Sequence, residues 1–159
     1  MNARRILATT ALLAGAARAA SAQTATQTVT FQIDAINQIA FAGSPSLVIN
    51  TATAGSDPTG VTAAATWAVT TNQTGAKITA SIGSNMPAGL TLSVNLTAPA
   101  GAASAGAQAL TTTSVDLVTS ITKVAQGAMA VSYSLAATPA AGVVSSTTRT
   151  VTYTITGGT

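Results

Sequence analysis

The chain has 159 residues, no cysteine, no histidine and a formal net charge of +3. Arg4, Arg5 and Arg18 supply that excess, and from residue 23 onward the charges balance: Lys77, Lys123 and Arg149 against Asp34, Asp57 and Asp116. Scattered cations without net charge exclude a nucleic-acid partner, because phosphates are bound by clustered Lys and Arg.

The first 22 residues have the three parts of a secretory signal peptide. Residues 4–5 form a basic start, and residues 6–17 are uncharged and almost wholly apolar. Ala20 and Ala22 then form a small-residue cleavage site before Gln23. We therefore predict that the mature protein begins at Gln23 and that residues 23–159 form one domain, a length that can bury a core without disulfides.

Two details of export stay open. The arginine pair fits an ordinary basic start and also fits twin-arginine export. Cleavage after Ala19 is an alternative to cleavage after Ala22. A membrane anchor is disfavoured, because spanning hydrocarbon takes about 20 apolar residues and residues 6–17 are fewer. We expect an exported protein of the cell surface, the periplasm or the medium, with no transmembrane segment in the mature chain.

Hydrophobic alternation dominates the mature chain. Six runs place an apolar side chain at every second position: 28–33, 61–69, 77–82, 90–97, 129–135 and 150–156. A period of two gathers these side chains on one face of a strand, and the other face is mostly Thr and Ser. The pattern predicts an all-β fold, a single antiparallel sandwich of about seven to nine strands.

Shorter segments complete the predicted topology. Residues 36–41 and 47–53 are predicted strands, and residues 114–122 fit a strand or a helical turn, of which we favour the strand. Residues 72–75 lie between two alternating runs and predict a hairpin loop. Residues 99–109 are rich in Ala and Gly and predict a longer loop.

Residues suited to catalysis are sparse. Without His, Cys or Glu, the usual general acids and bases and the usual zinc or copper ligands are missing. Asp34, Asp57 and Asp116 have no carboxylate nearby in sequence, and Lys77 and Lys123 adjoin polar positions that predict solvated charges. We predict no catalytic, cofactor-binding or metal site and no enzymatic activity.

Aromatic residues are few and occupy inward phases of the alternating runs. Trp67 is predicted to lie in the core. Phe31, Phe41, Tyr133 and Tyr153 share inward phases. A carbohydrate-binding face would need several exposed aromatic side chains, so the sequence does not indicate one.

The surface is short of charge. Residues 23–159 contain only six charged residues. By comparison, charged residues make up about 25–35% of the surface of a soluble designed protein. Zero net charge removes the repulsion that keeps monomers apart, and uncharged strand edges are poorly protected against pairing with another chain. A secreted monomer kept soluble by Thr, Ser, Asn and Gln is one interpretation. A subunit that assembles is the other, and we favour it.

The first alternating run offers a route to assembly. Val29, Phe31 and Ile33 follow a short polar lead, residues 23–27, directly behind the cleavage site. Such a strand can fill the open edge of a neighbour and gain main-chain bonds and apolar burial together. The alternative is pairing within its own chain, which the tendency of consecutive strands to be neighbours favours.

Three segments resemble exported bacterial β-sandwich proteins related to fimbrial (pilus) subunits: residues 77–80, 86–92 and 149–155. The resemblance implies an immunoglobulin-like sandwich and a structural role as a cell-surface or fibre subunit or a matrix component. It also implies self-association or related subunits as partners, since some members build pili by donating an N-terminal strand.

The chain departs from that group's typical subunits. It lacks their cysteine pair and ends in Gly-Gly-Thr without a penultimate aromatic, so chaperone-assisted assembly is not implied. No functional residue is carried over from the group. The alternative function is a secreted binding module that presents loops to a ligand, and an enzyme ranks third.

Overall fold

The computed structural model describes residues 21–159. The predicted signal peptide lies outside the described residues, apart from Ser21 and Ala22. Residues 33–159 form a compact unit that contains all the strands. Residues 21–32 belong to the preceding unit, are exposed, and include no strand or helix.

Nine strands account for the regular structure of residues 21–159. They are β1 (Asn37–Ala42), β2 (Val61–Thr71), β3 (Ala76–Ile82), β4 (Leu90–Leu96), β5 (Ala103–Ser104), β6 (Gln108–Ala109), β7 (Val115–Ile121), β8 (Val124–Ala137) and β9 (Val151–Thr156). A single 3₁₀ turn at Pro139–Ala141 follows β8. The segment 114–122 that fitted two interpretations is therefore a strand, as predicted.

The strands form two antiparallel sheets. The five-stranded sheet has the order β1-β2-β8-β4-β6, and the four-stranded sheet has the order β5-β7-β3-β9. Every strand pair is antiparallel. The predicted all-β sandwich is confirmed.

Alternating side chains of both sheets meet in one core. Its most deeply buried large members are Trp67, Val69, Ile78, Val94, Leu96, Leu117, Val118, Ile121 and Val131. Trp67 is 1% exposed, which confirms its predicted burial. The alternation in the sequence therefore predicted correctly which side chains of each central strand face the core.

Four sequence predictions were wrong. Residues 99–109, predicted to be a loop, contain the two short strands β5 and β6. Residues 28–33 form no strand, and residues 47–53 contribute only an isolated bridge between Ala52 and Pro58. Residues 72–75 are not a hairpin loop but a connection between the sheets. β2 already pairs with β1 and β8 on its two sides, so β3 must pair elsewhere, with β7 and β9.

Candidate functional site: an open groove between β1 and β9

The sandwich has two ends that matter for the site. At the near pole, β1 begins with Asn37 opposite Thr71, and the final residue, Thr159, exchanges two backbone hydrogen bonds with Thr74 (2.9 and 3.1 Å). At the far pole, β9 begins with Val151 opposite Ile82. β1 therefore runs from the near pole to the far pole, and β9 runs back.

β1 and β9 are edge strands of different sheets that face each other. The ring of Phe41 in β1 stacks on that of Tyr153 in β9, with centroids 3.8 Å apart and an interplanar angle of 17°. In both strands the inward side chains are only half-buried, in strict alternation with exposed ones. β9 carries no charge, and one of its two edges has no partner strand among the described residues.

A groove of about 600 Å³ opens between the two sheets on this side. Residues that line it come from β1, β4, β8, β9 and the loops of the far pole: Ile39, Ala40, Phe41, Pro45, Leu47, Met86, Leu92, Tyr133, Leu135, Arg149, Val151 and Tyr153. A second depression of about 610 Å³ adjoins it and shares Leu47, Met86 and Leu135. The combined surface is mainly apolar, carries Ser, Thr and Asn side chains along the second depression, and is accessible at the far pole.

Two tyrosines place the main polar atoms within the groove. The hydroxyls of Tyr133 and Tyr153 are 2.7 Å apart and share a hydrogen bond. Burial, reinforced by this hydrogen bond and by the electrostatic interaction with Tyr133, raises the pKa of Tyr153 well above its ordinary value. The Tyr153 hydroxyl therefore stays protonated at physiological pH.

Among residues 21–159, Arg149 is the only charged residue that lines the groove. Its Nη1 donates to the carbonyl oxygen of Thr148 (2.9 Å), and its Nη2 donates to that of Asn85 (3.4 Å). Its Nε is buried and has no hydrogen-bond partner among the described residues. Because a buried donor without an acceptor is costly, this atom marks a place where an incoming acceptor would be stabilised.

Asn72 fixes the start of the compact unit at the near pole. Its Nδ2 donates to the carbonyl oxygen of Asp34 (2.8 Å), and its Oδ1 accepts from the backbone N–H of Ile36 (2.8 Å). The side-chain amide thereby makes the two kinds of backbone hydrogen bond that a neighbouring strand would make, and it holds residues 34–36 at this pole. Sequence analysis assigned Asn72 to a turn and missed this role, since its partners lie more than 30 residues away.

The predicted inter-subunit strand has unusually exposed side chains. Val29 is 73% exposed, Phe31 88% and Ile33 78%. The inward phase predicted for Phe31 is therefore wrong, because residues 28–33 have no partner strand that would define an inward face. Ala22 and Gln23 at the predicted cleavage site are also exposed, while Ala20 lies outside the described residues.

The remaining charges do not converge on the groove. Lys77 of β3 and Asp116 of β7 form an ion pair across the four-stranded sheet, with Nζ and Oδ1 3.0 Å apart. Both side chains are nearly half exposed, so solvent screens the pair. Residues 21–159 contain no group of three potential metal ligands. No helix within that range is long and apolar enough to cross a membrane.

Within the part of the chain that the structure describes, the groove thus offers mainly apolar surface, a strand edge without a partner strand and one buried donor without an acceptor. An extended peptide with alternating apolar side chains uses all three features, because it brings main-chain carbonyls and inward side chains together. No protein-family model, curated protein or solved structure matches the chain.

Proposed function

We propose that this protein is an exported, non-enzymatic structural subunit that assembles into a fibre or surface layer through its N-terminal segment. The observation that carries the proposal is the exposure of Val29, Phe31 and Ile33, which alternate in sequence with polar residues where the compact unit begins. Large contiguous apolar exposure commonly marks an interaction surface. Alternation with Thr30 and Gln32 is typical of a strand that covers a neighbour's core.

The energetics favour burial of this segment in another molecule. Burying a Val, Ile or Phe side chain contributes about 1.5–3 kcal/mol each. Three such side chains offset much of the cost of ordering a short strand, and main-chain hydrogen bonds to a sheet edge add to the gain. The balanced charge of residues 23–159 supports the same proposal, since little electrostatic repulsion opposes contact between copies.

Electron microscopy and light scattering of the exported, processed protein test the proposal. We expect filaments or large assemblies from the natural sequence. Phe31→Ser should reduce assembly strongly, because it removes the largest exposed apolar side chain. Thr30→Ser is the matched control, one position away with a polar side chain, and should assemble normally. A monodisperse monomer at high concentration would contradict the proposal.

Export is a separate part of the proposal with its own test. N-terminal sequencing of protein recovered outside the cytoplasm should read Gln-Thr-Ala from Gln23. Removal of the signal would also leave only a short polar lead before Val29, so the exposed segment would lie close to the new N-terminus. A retained Met1 or a cytoplasmic location would contradict export.

A binding module is the second candidate, because the groove is deep enough for a small apolar ligand. Its polar groups argue against tight small-molecule recognition. The two tyrosine hydroxyls bind each other, and Arg149 already donates to two backbone carbonyls. If the exported protein remains monomeric at high concentration, the binding module becomes the better proposal.

A further inference from the structure

We infer that the groove binds an anionic amphiphile, a medium-chain alkyl carboxylate, with its carboxylate on Arg149 and its tail along the apolar wall. This site goes beyond the proposed function and does not depend on assembly. Three observations carry the inference: a cation without a counter-ion in the groove, the arrangement of its hydrogen-bond donors, and an apolar wall that leads away from it.

Arg149 brings an uncompensated charge to an apolar surface. The side chain is half-buried and makes no ion pair among residues 21–159. All of its hydrogen-bond partners are neutral, namely the hydroxyl of Thr147 and the carbonyl oxygens of Thr148 and Asn85. A guanidinium that is partly withdrawn from water is stabilised most by an anion, so the groove favours a carboxylate over a neutral or cationic head group.

The donors of Arg149 suit a carboxylate. Nε has no acceptor, and the bonds from Nη1 to Thr147 (3.3 Å) and from Nη2 to Asn85 (3.4 Å) are long. Only the bond from Nη1 to the carbonyl oxygen of Thr148 is short, at 2.9 Å. A rotation of the guanidinium that breaks the two long bonds would turn Nε–H and an Nη2–H toward the groove. Two such parallel donors match the two oxygens of one carboxylate.

The groove wall matches an alkyl tail in chemistry and length. Five apolar side chains line the groove together with Arg149: Pro45, Leu47, Met86, Leu135 and Val151. From Arg149 to Tyr153 the groove follows the chain for four residue steps, about 13 Å at roughly 3.3 Å per step. A zigzag chain of about eight to ten carbons covers this distance, since each carbon–carbon bond is about 1.5 Å long. The volume of about 600 Å³ is typical of a ligand site.

Such a ligand leaves the packing of the sandwich in place. The stacked rings of Phe41 and Tyr153 bridge β1 and β9 and form the inner end of the site. An unbranched tail ends on these rings and does not separate the two strands. The flexible side chain of Met86 adapts the wall to the tail. One charged anchor and an apolar wall suffice for an amphiphile, whereas a compact polar ligand requires several convergent polar groups.

Calorimetric titration of the exported, processed protein with decanoate tests the inference. We expect saturable binding of one decanoate per chain. Octanoate, which is shorter by two methylenes, should bind about tenfold more weakly, because less apolar surface leaves water. Decyltrimethylammonium is the matched control for charge, with the same length of tail and a cationic head. It should bind at least about tenfold more weakly than decanoate, because it cannot pair with Arg149.

Substitutions locate the site. Arg149→Met keeps an extended side chain but removes the charge, so the affinity for decanoate should fall at least about tenfold while that for decyltrimethylammonium does not fall. Val151→Thr places a hydroxyl in the groove wall and should weaken decanoate binding severalfold. Val143→Thr is the matched control, since Val143 is fully exposed and does not line the groove, and it should leave the affinity unchanged. Circular dichroism checks that each variant is folded.

The outcomes separate this inference from the proposed function. Selective decanoate binding that depends on Arg149 and Val151 supports the site, whether or not the protein assembles. Because assembly can cover a surface groove, the titrations are repeated with Phe31→Ser, the variant expected to assemble poorly. Absence of saturable decanoate binding by both proteins, equal affinity for decyltrimethylammonium, or an unchanged affinity in folded Arg149→Met and Val151→Thr overturns the site. The proposed function stands in each of these cases.

Discussion

The two long sides of the sandwich are built differently. On one side, β5 and β6 are only two residues long, and the hydroxyl of Ser104 in β5 donates to the carbonyl oxygen of Leu96 in β4 (2.7 Å). This bond joins the two sheets. On the other side, β1 and β9 are six residues long, and the sheets meet there through the Phe41–Tyr153 stack.

The difference shows how this fold controls its edges. Short edge strands and a direct link between the sheets leave little template for another chain to pair with, which is a common protection of natural sheets. The long β9 edge has no such protection, since it lacks charge, proline and a bulge. Burial follows the same division. Leu96 and Leu110 are buried on the side of β5 and β6, which we call the closed side. Val151 and Tyr153 are only half-buried on the side of β1 and β9, which we call the open side.

Trp67→Ala should produce the largest loss of stability. The indole is 1% exposed and fills the interior, so its removal should lower the free energy of unfolding by about 3–5 kcal/mol. Phe31→Ala is the matched contrast: an aromatic residue 88% exposed, for which we expect a change within about 0.5 kcal/mol. Chemical denaturation followed by circular dichroism measures both. Equal losses would contradict the distinction between a buried core and an exposed N-terminal segment.

Ser104→Ala breaks the link on the closed side. Losing its hydroxyl bond to Leu96 should lower the free energy of unfolding by about 1 kcal/mol. Ser132→Ala, at an exposed position of β8, should have a smaller effect. Hydrogen exchange should also rise in β5 and β6 of the Ser104 variant but not in β9. Unchanged exchange in β5 and β6 would mean that the hydroxyl does not hold the closed side together.

Thr152→Lys protects the open side instead. Its side chain is exposed, so the free energy of unfolding should change by less than about 0.5 kcal/mol. A charge on the β9 edge opposes pairing with another strand, so assembly measured by light scattering should fall strongly. Thr62→Lys, with the same added charge on an interior strand, should assemble nearly as the natural sequence does. Equal inhibition by both variants would point to net charge rather than to the β9 edge.

These contrasts bear on how much the sequence predicts. The alternation in β2 and β4 identified the strands and the burial of Trp67, because a period of two depends only on local order. The same alternation at Val29, Phe31 and Ile33 does not correspond to a strand in either sheet. Alternation states which side chains share a face, but it does not state whether a partner strand covers that face.

Long-range contacts explain the other errors. The turn residues at 72–75 are equally suited to a hairpin and to a connection between sheets, and only the pairing of β2 with β8 decides between them. The groove joins residues from β1, β4, β8 and β9, and the clamp of Asn72 acts across more than 30 residues. No local sequence pattern carries this information.

The smallest predicted effect concerns alkaline pH and the open side. Burial and the hydrogen bond with Tyr133 raise the pKa of Tyr153 in the folded protein, whereas an unfolded tyrosine ionises near pH 10. Above that pH, the unfolded chain binds fewer protons than the folded one, so the free energy of unfolding should decrease as the pH rises. Below about pH 10, this contribution to stability is fully present.

Tyr153→Phe isolates the effect. Denaturation curves measured from about pH 9 to about pH 11 should show a steeper loss of stability in the natural protein than in the variant. The difference should stay below about 1.4 kcal/mol per pH unit, the limit for one proton, and solvent access to the half-buried ring should reduce it further. Identical pH profiles would mean that the open side leaves Tyr153 too hydrated for its ionisation to oppose folding.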